Sequence, residues 1–295
     1  HQLVQGELKL QRVKRWCDFT EQHPQGMLFC WRGGLRSQLV QSWLLEAGID
    51  YPRVAGGYKA LRRYLIDQCD ELSTKLPITL LAGRTGSGKT LLLNELPRSI
   101  DLEGLANHRG SSFGRRAVKQ PNQIQFENVL STQLIKLATK GSKAILLEDE
   151  GGFIGTCGLP QKLFSKMKIS PMVLLEVPLK QRVETIYHDY ILGLHKEYQQ
   201  VHPEQAFKLF SDNLREALGR VKKRLGGELT LQIGKILESA LNEQEQSGDS
   251  HLHKEWIELL LVRYYDPSYD YQLAKRQSSI LFKGSTEEIK VWLET

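Results

Sequence analysis

Short apolar runs alternate with stretches of helical spacing, and that alternation changes character along the chain. Residues 1–19 (HQLVQGELKLQRVKRWCDF) predict a helix, and residues 26–30 (GMLFC), bounded by His23-Pro24 and a glycine pair, predict a short buried strand. Leu39, Trp43, Leu44 and Ala47 then fall at helical spacing until Gly48. A short strand at 51–54 follows, and after Gly56-Gly57 another helix runs through Leu65. A second strand–helix series starts near Leu76. Its apolar strands are residues 78–83 (ITLLAG), 99–102, 144–147 and 172–177, with helical stretches at 125–139 and 161–167. Such alternation predicts an α/β chain with a mostly parallel, doubly wound sheet. Beyond Leu179 the strand pattern fades into helices at 180–194, 203–225, 229–244 and 249–264, then an aromatic-rich tail. The expected division is 1–72, an α/β layer; 73–178, a second α/β domain; and 179–295, a helical region packed on the second.

Composition narrows the class. No run approaches the roughly 18 consecutive apolar residues of a membrane span, and no signal-peptide pattern opens the chain. The four cysteines, Cys17, Cys30, Cys69 and Cys157, form no CxxC pair, against a disulfide framework or zinc ribbon and in favour of the reducing cytoplasm. The net charge of +6 is compatible with a phosphate or nucleic-acid partner.

Gly83-Arg84-Thr85-Gly86-Ser87-Gly88-Lys89-Thr90 matches the phosphate loop G-x-x-x-x-G-K-[ST] between a strand and a helix, the context that motif needs. Its backbone N–H groups and helix N-terminus face a polyphosphate, Lys89 adds a cation, and the Thr90 hydroxyl suits Mg2+. The acidic strand end at 148–150 offers a second Mg2+ group, Glu148 or Asp149. Cys30 ends the first apolar run and precedes Trp31-Arg32-Gly33-Gly34-Leu35-Arg36-Ser37. Loop amides, a helix N-terminus, Arg32 and Arg36 favour a thiolate or a bound anion there. The spacing C-x5-R also occurs in cysteine phosphatases, but Phe29 replaces their preceding histidine, so a sulfur- or selenium-carrying cysteine fits better.

The cysteine loop CWRGGLRS, then VAGGYKALRRYL, then a phosphate-loop unit, resembles the tRNA 2-selenouridine synthases across essentially the whole chain. Residues 101–114 (DLEGLANHRGSSFG) are similar to that family's pattern and more distinctive than the phosphate loop. The resemblance implies an N-terminal rhodanese-like domain, for which about fifty further residues before His1 are expected. It implies a transferase that converts wobble 2-thiouridine in the tRNA anticodon stem-loop to 2-selenouridine. Geranyl diphosphate and selenophosphate would be the substrates, with no tightly bound cofactor, and an enzyme supplying selenophosphate would be a partner. It also makes Asp101, Glu103, His108, Arg109, Ser111, Ser112 and Phe113 a substrate loop; Arg109 can grip phosphate, and Phe113 can stack on a base or line a prenyl channel. Arg220, Lys223 and Arg224 share one helix side and are candidate tRNA contacts. Tyr264, Tyr265, Tyr269 and Tyr271, among Arg263, Lys275 and Arg276, form another. Two alternatives stand beside this reading: a P-loop kinase or ATPase fused to a sulfur-carrier module, and a non-catalytic partner of a sulfur-relay complex.

Overall fold

The computed structural model describes residues 6–31, 34–141, 143–276 and 279–294. The chain divides into two compact units, His1–Gln68 and Cys69–Thr295. The first contains α1 (Glu7–Gln22), α2 (Leu35–Glu46) and most of α3 (Gly57–Lys75). The strands expected at 26–30 and 51–54 are reduced to one parallel bridge, Leu28 with Arg53. The Leu28 N–H donates to the Pro52 carbonyl and the Leu28 carbonyl accepts from Val54 N–H, each at 2.8 Å. The apolar run is not buried throughout: Met27 and Phe29 are exposed, so alternation along one bridge replaces a core strand.

In the second unit β1 (Ile78–Gly83), α4 (Lys89–Glu95), β2 (Ser99–Ile100), α5 (Leu102–Leu105), α6 (Gln123–Ala138) and β3 (Ile145–Glu148) come first. A small antiparallel pair, β4 (Phe153–Ile154) and β5 (Cys157–Gly158), precedes α7 (Gln161–Ile169) and β6 (Met172–Leu175). The helical region is α8 (Leu179–Ile186), α9 (Leu194–Val201), α10 (Ala206–Leu225), α11 (Gly227–Ser247), α12 (His253–Leu260) and α13 (Asp266–Ala274). Two π-helical segments, Tyr187–Gly193 and Leu261–Tyr265, join α8 to α9 and α12 to α13. The strand β7 (Ile280–Gly284) and α14 (Thr286–Glu294) follow.

The five-stranded sheet has the order β2-β3-β1-β6-β7 and every pairing is parallel. Period-2 alternation explains its two covered faces. Ile78, Leu80 and Ala82 enter a core with Phe126, Leu130 and Leu134 of α6, whereas Leu81 enters another with Leu92 and Leu93 of α4 and Ile289 of α14. A third core, built by α8 to α12, includes Phe113 and Trp256. The tail is corrected: the sheet gains β7, whose short half-buried pattern lies on an edge and leaves little trace in the sequence. The strand expected at 99–102 stops at Ile100 because Asp101 caps α5, its side chain accepting from Gly104 N–H. Among the described residues no helix is long and apolar enough to cross a membrane.

Candidate active site

The chain leaves β1 toward β2 and β3 on one side and later fills β6 and β7 on the other, so β1 ends at the switch point of the sheet. The phosphate loop occupies that point. Gly86 and Gly88 adopt left-handed backbone conformations, φ 82° and 78°. At Gly86 a Cβ would also lie 2.8 Å from the Arg182 carbonyl and from Ile186, so glycine is required twice over. Lys89 Nζ donates to the Gly83 carbonyl at 3.0 Å, holding its charge inside the loop. Ser87 Oγ is buried with no hydrogen-bond partner among the described residues, as a group meant for a ligand oxygen would be.

Three glutamates line the acidic side. Thr90 donates to Glu148 Oε1 at 3.0 Å and lies 3.5 Å from Glu103 Oε2. Glu103 N–H donates to Glu148 Oε2 at 3.0 Å. Burial first, then the neighbouring carboxylates Glu103 and Asp101, push Glu148 up to about 8. Glu103 and Glu150 share a side-chain hydrogen bond, and burial raises both. Asp149 turns elsewhere: its Oδ1 accepts from Arg276 Nη1 at 2.6 Å. Of the two carboxylates proposed for Mg2+, Glu148 therefore meets Thr90. Thr90 and Glu148 offer hard oxygen donors that fit Mg2+, with ligand phosphate oxygens completing the shell. No group of three His, Cys, Asp or Glu among the described residues forms a metal cage.

The loop at 101–114, expected from the sequence to meet substrate, is tied to the helical region. Arg109, its side chain only 3% exposed, pairs through Nε with Asp189 at 2.9 Å and through Nη2 with Glu197 at 2.9 Å. Its guanidinium is thus anchored by two carboxylates, while Nη1 has no hydrogen-bond partner among the described residues and the residue lines the phosphate cavity. Ser111 Oγ meets the Tyr190 hydroxyl at 3.1 Å, and Arg220 donates twice to the Ser112 carbonyl at 2.8 and 3.2 Å. His108 is buried beside Arg220, Arg115 and Arg109; burial first, then these cations, lower its pKa to about 4. The imidazole is neutral at physiological pH. Phe113 is buried and stacks on Trp256, ring centroids 5.4 Å apart. Asp101 serves as the α5 cap, and burial raises its carboxyl.

A cavity of about 830 Å³ spans the phosphate loop, Asp101, Glu103, Arg109, Ser111 and the tyrosines 190, 265 and 269. It shares Thr85, Ser111, Ile186, Tyr190 and Tyr265 with a shallow apolar recess of only about 20 Å³, floored by Phe113, Trp256 and Leu260. An anion cradle therefore adjoins an apolar recess. Tyr190 and Tyr265 both lie in the π-helical segments, where an extra residue per turn re-aims side chains. The sequence singles out Tyr265 among the tail tyrosines but not Tyr190, nor Arg182, which is 2% exposed and bridges the Thr85 carbonyl (3.3 Å) and Asp266 (2.7 and 2.6 Å).

In the first unit Cys30 is buried, and its carbonyl accepts from Tyr58 N–H at 3.0 Å. A Cβ on Gly57 would fall 2.6 Å from that carbonyl, so the second glycine of the pair permits this approach. Trp31 stacks on Tyr58 at 4.3 Å with planes 9° apart. Gly34 opens α2 in a left-handed conformation and Arg36 is exposed on its first turn, while Arg32 lies outside the described residues. The basic helix side divides: Arg220 turns to the substrate loop, Arg224 reaches the Tyr264 hydroxyl at 3.5 Å, and Lys223 is exposed.

Residues 76–295 match the family model described as the tRNA 2-selenouridine synthase AAA domain. A tRNA 2-selenouridine synthase of Pseudomonas fluorescens (strain Pf-5) is 50% identical over 96% of this chain and 78% of its own length. Those of Cupriavidus pinatubonensis and Shewanella sediminis are 48% and 47% identical, over 99% and 100% of this chain and 81% and 80% of theirs. No solved structure gives a significant match. A phosphate loop at the switch point, a substrate loop of the expected pattern and near-complete coverage by these relatives agree: the chain belongs to the tRNA 2-selenouridine synthase family.

Proposed function

We propose that the chain is a transferase that converts wobble 2-thiouridine of tRNA to 2-selenouridine in two steps, through an S-geranyl intermediate. The observation that carries this reading is the cavity of about 830 Å³, in which the phosphate cradle is continuous with a side lined by Leu91, Ile186, Tyr190, Tyr265 and Tyr269. That pairing suits a diphosphate with a hydrocarbon tail better than a nucleoside triphosphate. In the first step the thiocarbonyl sulfur attacks C1 of geranyl diphosphate. The C–S bond forms, the C–O bond breaks, diphosphate leaves with the electron pair, and the base loses its N3 proton. The loop amides, Lys89 and Ser87 take up the charge of the leaving diphosphate. Thr90 and Glu148 would hold Mg2+, which, when bound, adds electrostatic neutralisation of that charge. Ile186, Tyr190 and Tyr265 line the side of the cavity that would exclude water from the prenyl chain. In the second step the selenium of selenophosphate attacks C2, the C–S bond breaks and geranyl thiolate departs; water then cleaves the Se–P bond, phosphate leaves, and N3 takes up a proton. The Cys30 loop, with Arg32 and Arg36, would hold and activate the selenophosphate anion for that attack.

Mass spectrometry of tRNA nucleosides tests the reading, after incubation with geranyl diphosphate and, separately, with selenophosphate added. S-geranyl-2-thiouridine and then 2-selenouridine are expected. Unchanged 2-thiouridine with ATP consumed instead would favour a kinase or ATPase.

A further inference from the structure

The prenyl reading uses one flank of the phosphate loop and leaves the other without a ligand. On that flank a groove of about 510 Å³ lies between the carboxyl ends of β6 and β7 and helix α13. Its apolar base is Leu174, Leu175, Val177 and Leu273. Its rim carries four groups of different chemistry: Arg84, Tyr269, Glu176 and Lys283. Arg84 belongs to the phosphate loop itself. Its Nε and Nη2 donate to Asp270 at 2.8 to 3.0 Å, so the guanidinium plane is held by a two-point clamp while about half of the side chain stays exposed. Tyr269 lines both this groove and the phosphate cavity, and so forms the partition between them. Glu176 and Lys283 are exposed, and neither makes an ion pair or side-chain hydrogen bond among the described residues.

A ligand for this groove has to be flat, carry both a donor and an acceptor on one edge, and reach a phosphate site next door. A fixed guanidinium and an aromatic ring are the two side-chain surfaces on which nucleobases stack. A free carboxylate reads an N–H and a free ammonium reads a carbonyl. An aliphatic chain would leave both charges desolvated and unpaired. The volume accommodates a nucleoside and lies within the usual range of small-ligand sites.

We infer that this groove receives the extruded wobble nucleobase of the tRNA, with Lys283 and Glu176 on its hydrogen-bonding edge and Arg84 and Tyr269 on its faces. The inference rests on the transferase reading and deepens it by locating the second substrate. The nucleophile is then delivered to one flank of the phosphate loop while the prenyl chain occupies the other, so the reacting sulfur and C1 meet over the loop. Glu176, facing N3–H, is placed to receive the proton that the base gives up when its sulfur is alkylated.

The test uses the full chain and an anticodon stem-loop with 2-thiouridine at the wobble position. The thiobase absorbs near-ultraviolet light and crosslinks to what it touches; peptide mapping should find the adduct on the segments carrying Tyr269 or Glu176 and Lys283. Lys283→Glu, a change at an exposed position that spares the core, should raise the stem-loop KM about tenfold. Inorganic pyrophosphate should inhibit that variant as strongly as wild type. A crosslink confined to other segments, or an unchanged KM in Lys283→Glu, overturns the inference. If free ATP abolishes the crosslink and Lys283→Glu weakens ATP binding but not the stem-loop, the groove is a nucleotide-base site and the assignment to tRNA falls. Failure of the transferase reading is read separately, as absence of any S-alkylated nucleoside from the wild-type chain.

Discussion

Glu148→Gln is expected to stabilise the free protein while crippling it. Glu148 is fully buried, and its carboxyl rises from 4.5 to about 8, by burial first and then by Glu103 and Asp101. The folded state therefore binds this proton more tightly than the unfolded chain does. The group costs little near pH 4.5 and progressively more as pH climbs toward 8. At about 1.36 kcal/mol per pH unit the cost reaches a ceiling of about 4 kcal/mol at pH 8 and about 1 kcal/mol at pH 5. Glutamine keeps the volume and never ionises; its amide oxygen accepts from Glu103 N–H while its NH2 donates to the Thr90 hydroxyl, which turns to become the acceptor. Allowing for relaxation around the site, about half of the ceiling should appear, or a Tm gain of roughly 4–8 °C at pH 8. Thermal melts of wild type and variant across pH 5–8 check this, and the gap should nearly close at pH 5. Geranylation should fall about 100-fold, since a neutral amide cannot oppose a cation beside Thr90. A variant less stable than wild type at pH 8, or a gap independent of pH, would refute the argument that repulsion is stored among these glutamates.

Lys89→Ala should abolish geranylation yet leave selenium exchange on tRNA that already carries S-geranyl groups, and Cys30→Ala should show the reverse pattern; equal loss of both activities in Cys30→Ala sinks the division of labour. Asp266→Asn leaves the buried Arg182 without its ion pair, so stability should drop by about 3 kcal/mol in denaturant melts, and diphosphate affinity should weaken because Arg182 also holds the Thr85 carbonyl. Ile186→Phe narrows the apolar side of the cavity; KM should rise about tenfold for geranyl diphosphate and much less for dimethylallyl diphosphate, and equal changes for the two would detach that side from the prenyl chain.

The phosphate loop, the parallel sheet and the helical region were legible because each has a local pattern: glycines at fixed offsets, fully apolar strands, heptad-like spacing. What escaped was non-local. β7 is an edge strand with a half-buried pattern, and only its pairing with β6 reveals it. Tyr190 reaches the cavity from a π-helical turn, where the spacing of 3.6 no longer predicts a face. Arg109 was legible as functional in type but not in partners, since Asp189 and Glu197 are distant in the chain. Choosing Glu148 over Asp149 required seeing that Arg276 claims the aspartate.

The placement of β7 also determines when the phosphate site can exist. β7 pairs in parallel with β6, and the whole helical region lies between them in the chain. During synthesis the loop residues emerge first, whereas Lys283, the edge of the sheet and the α14 cover over Leu81 and Val173 arrive only after the whole helical region. Until then the β6 edge is an open template for pairing with other chains. A pairing of such long sequence separation closes slowly. A ribosome stalled within α11 would thus present a phosphate loop with no finished sheet behind it, and nascent chains of this protein should be held by chaperones until their final strand docks.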